Sequence, residues 1–462
     1  MGESFDIAII GGGYTGAVLA LHLLRRARAG ARIAVIEPRA DVGSGVAYAT
    51  PDEQHRINVP ADRMGVSAAP QDRFDIWLKT QHPELIGDGD PERTYVPRRW
   101  FGIFVRDRLA EAIRTSAAVF RHIQAEATSV RTAEGGAEIA LSDGRKLRAR
   151  HVVVAVSHGL PALPRGIPAT LVGTPGFLEN PWNVERLREI PRDGAVLIIG
   201  TGLTMADVIA SLLARGHRGP ITAISRHGLL PRKSGPASVP PGLDLSAWPS
   251  ASVAHYVKSI RAEMDRVEAE GLSWRGVFTA LRVQSGYLWS RLTHADKHRF
   301  LRHLKTFYDV HRYRMAPETY ELIEAAESRG QVRILAAHVI GVERTAQGFD
   351  VAFRRRGAAA DETLRVAGIV NCTGPKQKLS ADPTNFLGGL IAAGIAEADP
   401  LGLGLAVDGD FRVVGNATNF YALGPLTRER FGDTYGAPEI EVQAGRLATQ
   451  LAAVLTQENA AV

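Results

Sequence analysis

Apolar and polar positions along the chain fall into one pattern that occurs twice. Residues 7–10 form an apolar run that reads as a buried strand, residues 17–28 carry helical spacing, and residues 33–36 form a second apolar strand. The same order of strand, helix and strand returns at 195–199, through about 214, and at 221–224. Short alternating runs over 119–150, broken by a Ser142-Asp143-Gly144-Arg145 turn, predict a small β-meander leading into the apolar strand 151–156. The second copy has strand-like runs at 332–345 and 349–355 and closes on 366–370. Apolar residues at helical spacing over 97–115 predict a further core helix, and 418–423 followed by 437–455 reads as a last strand and amphipathic helix.

Glycines punctuate both copies at the point where strand becomes helix. Gly11, Gly13 and Gly16 form a GxGxxG turn, in which the first glycine permits the bend, the second lets backbone approach a pyrophosphate, and the third lets helix lie against strand. The helix amino end, with Tyr14 and Thr15, then faces the phosphates. Glu37 ends the second strand about 21 residues on, where a carboxylate takes ribose hydroxyls. In the second copy Gly200, Gly202, Leu203 and Thr204 open the helix, but Met205 stands where the third glycine belongs. Its second strand ends in Ser225-Arg226 instead of an acid, which suits the 2′-phosphate of NADPH. The fold class is therefore α/β: two dinucleotide-binding (Rossmann-like) domains of glutathione-reductase type with β-meanders and a helical insertion.

Between the elements lie three stretches with candidate chemistry. The loop 43–67 is long for a nucleotide-binding half, so it reads either as crossing the cofactor and bringing Asn58 and Val59 to a flavin, Asn58 as its polar neighbour, or as a surface excursion. His158, at the end of the strand 151–156, reads equally as a cofactor contact or an ordinary loop histidine; a proline-rich linker follows at 161–168. The insertion, about 229–330, has helical patterning near 250–270, 274–284, 294–307 and 317–329 and is the expected place for substrate selection. At its end His311-Arg312-Tyr313-Arg314 reads either as a site for an acidic substrate or as an ion-pair network. Gly424 and Pro425, at the exit of the last strand, are expected beside the flavin.

Composition narrows the chemistry further. The chain has 462 residues, too many for one core, and its formal charge of +6 is spread without a block of like charges, which argues against nucleic acid as partner. No apolar run approaches a membrane span, the first strand starts too early for a signal peptide, and the cytosol is the expected home. One cysteine, Cys372, leaves no dithiol for electron relay, and neither a metal-ligand spacing nor a nucleophile triad is evident. Reduced flavin must then pass electrons to an outside acceptor, with oxygen the first candidate.

The motifs GGGYTG with Glu37, HRINV at 55–59, GTGLTMAD, SRHG, HRYRM, NCTGP and YALGP together resemble the bacterial FAD-NAD(P)-binding family over about residues 5–455. At longer range they are similar to flavin monooxygenases that hydroxylate amines, including the aspartate N-monooxygenase that forms nitrosuccinate. The resemblance implies FAD on 1–160 with 372–462, including Thr373 and Gly374, and NADPH on 191–371. It implies N-hydroxylation of a small amine or amino acid by molecular oxygen through a C4a-hydroperoxyflavin. An NADPH-dependent reductase serving a quinone or small redox protein, and a flavin-bound sensor or scaffold, stand as alternatives.

Overall fold

Ser4–Ile10 and Val196–Ile199 each lie inside a separate seven-stranded sheet. The computed structural model describes residues 3–86, 89–90, 93–157, 159–240, 242–250, 252–376 and 378–460. In the first sheet Val119–Ile123, Arg32–Ile36, Ser4–Ile10 and Lys146–Val154 lie side by side and parallel. Gly136–Leu141 and Ala127–Ala133 continue it as an antiparallel meander, and Phe420–Ala422 pairs in parallel with the carboxyl end of Lys146–Val154. In the second sheet Phe177–Leu178, Gly368–Asn371, Val196–Ile199, Ile221–Ser225 and Val332–Thr345 are parallel, and Gly348–Arg355 and Glu362–Val366 form the antiparallel end.

The two sheets share one plan but bend at different places. In the first, the chain breaks between Val119–Ile123 and Ala127–Ala133, and the closing strand Lys146–Val154 runs unbroken from meander to parallel sheet. In the second, the break falls between Glu362–Val366 and Gly368–Asn371, and Val332–Thr345 is the long strand, turned by a bulge between Val339 and Gly341. The expected strands 151–156 and 366–370 are thus parts of these two arrangements. Gly159–Pro161, at the start of the proline-rich linker, pairs with Pro375–Lys376 as a two-stranded ribbon.

The helix Tyr14–Arg26 begins directly after Gly13, three residues earlier than its apolar spacing indicates, because Gly13 is itself the cap. It packs between Arg98–Thr115 and Ala437–Ala460, burying Leu19, Leu23, Leu447 and Leu451. Each such side chain contributes about 1.5–3 kcal/mol by leaving water. Met205, in the third glycine's place, is buried in the core of the second half, where Leu203–Ala214 packs with Pro317–Ser328.

The insertion contains Val253–Ala269, Trp274–Arg291 and a third helical stretch in three parts. His294–Arg299 and Lys305–Arg312 are α-helical, and Phe300–Leu304 between them is a π turn. No helix among the described residues is long and apolar enough to cross a membrane.

Candidate functional site: two glycine turns and the join between them

A cleft of about 660 Å³ opens at the carboxyl ends of the first sheet's parallel strands, within the size range of ligand sites. Gly11, Gly13, Tyr14, Thr15, Glu37 and Pro425 lie on its wall. Gly11 has φ +102°, and a Cβ there would stand 2.7 Å from the Ala155 carbonyl oxygen. A Cβ on Gly16 would stand 1.9 Å from the Gly11 carbonyl oxygen, so this glycine sets how closely helix meets strand. Gly13 differs from both: its Cβ would meet only Gly45 Cα, at 3.5 Å, and otherwise enter the cleft. The helix behind it has neither a side-chain cap nor an acid in its first turn, which leaves its leading N–H groups for an anion.

The loop after the second strand folds over this turn. Gly43 N–H donates to the Gly12 carbonyl at 2.8 Å, and Gly45, with φ +56°, comes close enough to Gly13 that a Cβ on it would lie 2.8 Å from Gly13 Cα. Tyr14 holds the next stretch, since its hydroxyl lies 2.7 Å from the Gly65 carbonyl oxygen and 3.0 Å from that of Ala437. Glu37 is buried; one carboxylate oxygen accepts from Gly12 N–H at 2.9 Å and the other from Arg39 N–H at 3.1 Å. Gly424 (φ +74°) sits where a Cβ would lie 2.9 Å from Thr15 Oγ1, which brings the last strand's exit against the helix amino end.

Other expected residues lie elsewhere. Asn58 and Val59 are not on the cleft wall; both are half-buried, and Val59 packs against the first core. Thr373 and Gly374 are also off the wall, because they follow Cys372, whose carbonyl stands against Gly200 of the second turn. His158 lies outside the described residues.

In the second turn Gly200 has φ +109°, and a Cβ there would lie 2.2 Å from the Cys372 carbonyl oxygen. Gly202 faces open space, and the helix it caps again lacks a side-chain cap, so the N–H groups of Leu203 and Thr204 stand at an uncapped end. The Ser225 hydroxyl is committed to the fold, 2.8 Å from Thr201 Oγ1 and accepting from Gly228 N–H at 3.0 Å. Arg226 is exposed, beside His227, whose Nδ1 lies 3.1 Å from Arg356 Nη1. Burial and the two guanidiniums push the His227 pKa down.

Buried polar side chains join the two halves. Ser211 donates to Asp52 Oδ2 at 2.7 Å and lies 3.0 Å from His55 Nε2, while Thr50 Oγ1 lies 2.8 Å from His55 Nδ1. With the Ser211 hydrogen on Asp52, Nε2 must carry the His55 proton and Nδ1 must accept from Thr50. These are Ser, His and Asp in contact, but the serine hydrogen points to the carboxylate instead of the imidazole, so the trio is a lock and not a nucleophile. Burial holds the His55 pKa below its ordinary value. Nearby Arg98 pairs with buried Asp207 at 2.8 Å and donates through Nε to the Arg56 carbonyl at 2.8 Å. The sequence signal for these contacts is an Asp and a Ser in the largely apolar helix LTMADVIASLLA.

The basic cluster of the insertion divides. Arg312 is buried and paired with Asp433 at 2.6 Å and with Glu439 at 3.4 Å, as the ion-pair reading expects. Arg314 differs: its Nη1 is buried with no hydrogen-bond partner among the described residues. Burial, opposed by the Tyr95 phenol and aided by Arg275, Arg312 and Arg63, lowers its pKa to about 10.

The open side of Gly13, the uncapped helix and the buried acid after it make one dinucleotide cradle. Residues 8–159 match the FAD-NAD(P)-binding family. No curated protein sequence matches the chain. Among solved structures, the fold is similar to ornithine N-hydroxylase of Kutzneria sp. 744, described with reduced FAD, NADP+ and L-ornithine. That likeness covers 97% of this chain and 99% of the other at TM-score 0.66 and 17% identity. L-lysine 6-monooxygenase of Pseudomonas syringae has the same coverages at TM-score 0.62 and 17% identity. Thioredoxin reductase of T. acidophilum is similar over 98% and 99% at TM-score 0.55 and 13% identity. At these identities the likeness is one of fold.

The residues present fit the FAD and NAD(P) of the family description. In the first half the matched stretch contains the glycine turn, the buried acid and the crossing loop. The second half supplies a second uncapped helix behind Gly202 and, at the end of its second strand, a cation in place of an acid.

Proposed function

We propose that the protein is an NADPH-dependent flavoprotein monooxygenase that hydroxylates the nitrogen of a small amine or amino acid. FAD would lie in the first cleft over residues 1–160 with 372–462, and NADPH on residues 191–371. When bound, the pair supplies hydride transfer and the activation of oxygen. The chain's own part is to bind and position. The Gly13 turn and the helix behind it receive the flavin's pyrophosphate, Glu37 the ribose, and Pro425 borders the cleft. Gly202, Leu203 and Thr204 receive the pyrophosphate of NADPH and Arg226 its 2′-phosphate, with Ser225 shaping the turn. The loop folded over Gly13 shields the site from water.

The observation that carries this reading is the pairing of two such cradles with one cysteine in the whole chain. Cys372 is buried, and burial raises its thiol pKa, so it offers neither a dithiol nor a ready thiolate. Electrons reaching the flavin must leave to a diffusible acceptor. Likeness in fold to N-hydroxylases supports oxygen and an amine as that acceptor and its co-substrate.

Rapid mixing of NADPH-reduced protein with oxygen tests the reading. A monooxygenase takes up oxygen before it releases peroxide, with a resolvable delay. Release of peroxide in step with uptake, together with fast reduction of a quinone, would establish a reductase instead.

A further inference from the structure

A second cavity, of about 110 Å³, lies between the helical insertion and the segment 428–433, apart from the cleft at the first glycine turn. Its wall is mostly apolar and includes Tyr256, Ile260, Leu281, Leu288, Phe300 and Tyr308. An apolar cavity of about 150 Å³ stays dry and accepts benzene, so this one has the size of a single ring or a short branched chain.

Two features argue that it is built and not a packing fault. The π turn Phe300–Leu304 falls in the helical stretch that forms one wall, and such turns recur at functional sites. Residues eight apart on a regular helix point about 80° away from each other. The wider turn takes up that offset, so that Phe300 and Tyr308 line the same space with their rings 5.6 Å apart. Tyr308 also has no side-chain hydrogen bond among the described residues, leaving one phenol for a ligand's polar atom.

The segment 428–435 borders both this cavity and the large cleft. Arg428, Gly432 and Asp433 line the cavity, Tyr435 lines the cleft, and Arg428 Nη1 donates to the Tyr435 hydroxyl at 3.1 Å. Asp433 is the one carboxylate on the cavity wall among the described residues. It is already taken by Arg312 at 2.6 Å and by the Tyr313 hydroxyl at 2.8 Å. A basic side chain placed here would find no free counter-ion and would face Arg428.

We propose that this cavity receives the apolar part of the substrate, so that the amine hydroxylated is one with an aryl or branched alkyl group, not a basic amino acid. The inference rests on the N-hydroxylation reading, and its test separates the two. Titrating FAD-loaded protein with 2-phenylethylamine and with ornithine in a calorimeter measures binding without turnover. The aryl amine is expected to bind at least tenfold more tightly. Val257→Phe and Ser285→Leu, which enlarge side chains on two different helices of the cavity wall, should each weaken it at least tenfold, with FAD content reporting that the variant is folded.

Ornithine binding as tightly as the aryl amine overturns the inference on wild-type protein alone, as does undiminished aryl-amine binding by either FAD-loaded variant. Selective aryl-amine binding without oxygen-dependent hydroxylation would leave the cavity assignment standing and count against N-hydroxylation. Hydroxylation of ornithine without aryl-amine binding would do the reverse.

Discussion

Ser211 and Asp52 meet at 2.7 Å although 159 residues separate them, and through them the helix of the second glycine turn is tied to the loop that covers the first. The hydroxyl between carboxylate and imidazole completes a run of hydrogen bonds from Thr50 through His55 and Ser211 to Asp52. The Thr50 hydroxyl can donate to His55 Nδ1 only while His55 is neutral.

That dependence gives a pH effect of definite sign. Burial lowers the folded pKa of His55 below its ordinary 6.5; Asp207 and Asp52 oppose this, and Arg98 and Arg215 reinforce it. As pH falls through about 6.5, the unfolded chain takes up this proton first, so stability is full above that pH and is lost progressively below it. His55→Gln should therefore lose less stability than wild type between about pH 8 and pH 5.5. Thermal unfolding of both proteins at the two pH values measures it; parallel losses would show that His55 does not contribute.

The glycines of the first turn should fail in different ways. Gly13→Val is expected to fold but to purify without FAD, because its side chain has room only in the cleft. Gly16→Val forces the Gly11 carbonyl aside and should cost more than the 1–3 kcal/mol of ordinary overpacking, about enough to prevent accumulation of folded protein. Far-UV circular dichroism with flavin absorbance separates the two outcomes, and yellow Gly13→Val protein would refute the placement.

Arg226→Ala should weaken NADPH by roughly 10- to 100-fold, the value of a charged hydrogen bond, and leave NADH nearly unchanged. The concentration dependence of flavin reduction by each nucleotide gives both affinities. Equal losses would assign Arg226 no part in reading the 2′-phosphate.

Arg314→Met removes a largely buried guanidinium whose Nη1 has no hydrogen-bond partner among the described residues. The variant should be more stable by about 1 kcal/mol, a rise in Tm of about 2 °C. A lower Tm would mean that the guanidinium is held by favourable contacts.

Much of this architecture was legible because local rules sufficed. A glycine that must take φ near +100° and another with no room for a Cβ announce themselves at Gly11 and Gly16 by spacing alone. The position of Arg226 just past a strand end could be expected in the same way. The helix expected over 274–284 runs seven residues further. Trp274–Arg291 continues because Gly286 comes within contact of the Phe431 carbonyl and Trp289 Nε1 donates to the Glu429 carbonyl at 2.7 Å. Long-range partners of this kind leave no periodic trace, and neither do the Ser211–Asp52 lock nor the π turn. Asn58 lies off the cleft wall, because the loop meets the glycine turn through Gly43 and Gly45.

The most direct test of the two-cradle account is anaerobic mixing of the FAD-loaded protein with NADPH while the flavin's visible absorbance is followed. Full bleaching, saturating with NADPH and slower with NADH at equal concentration, is the predicted result. A protein that cannot be loaded with FAD, or whose bound flavin stays oxidised in excess NADPH, would contradict it.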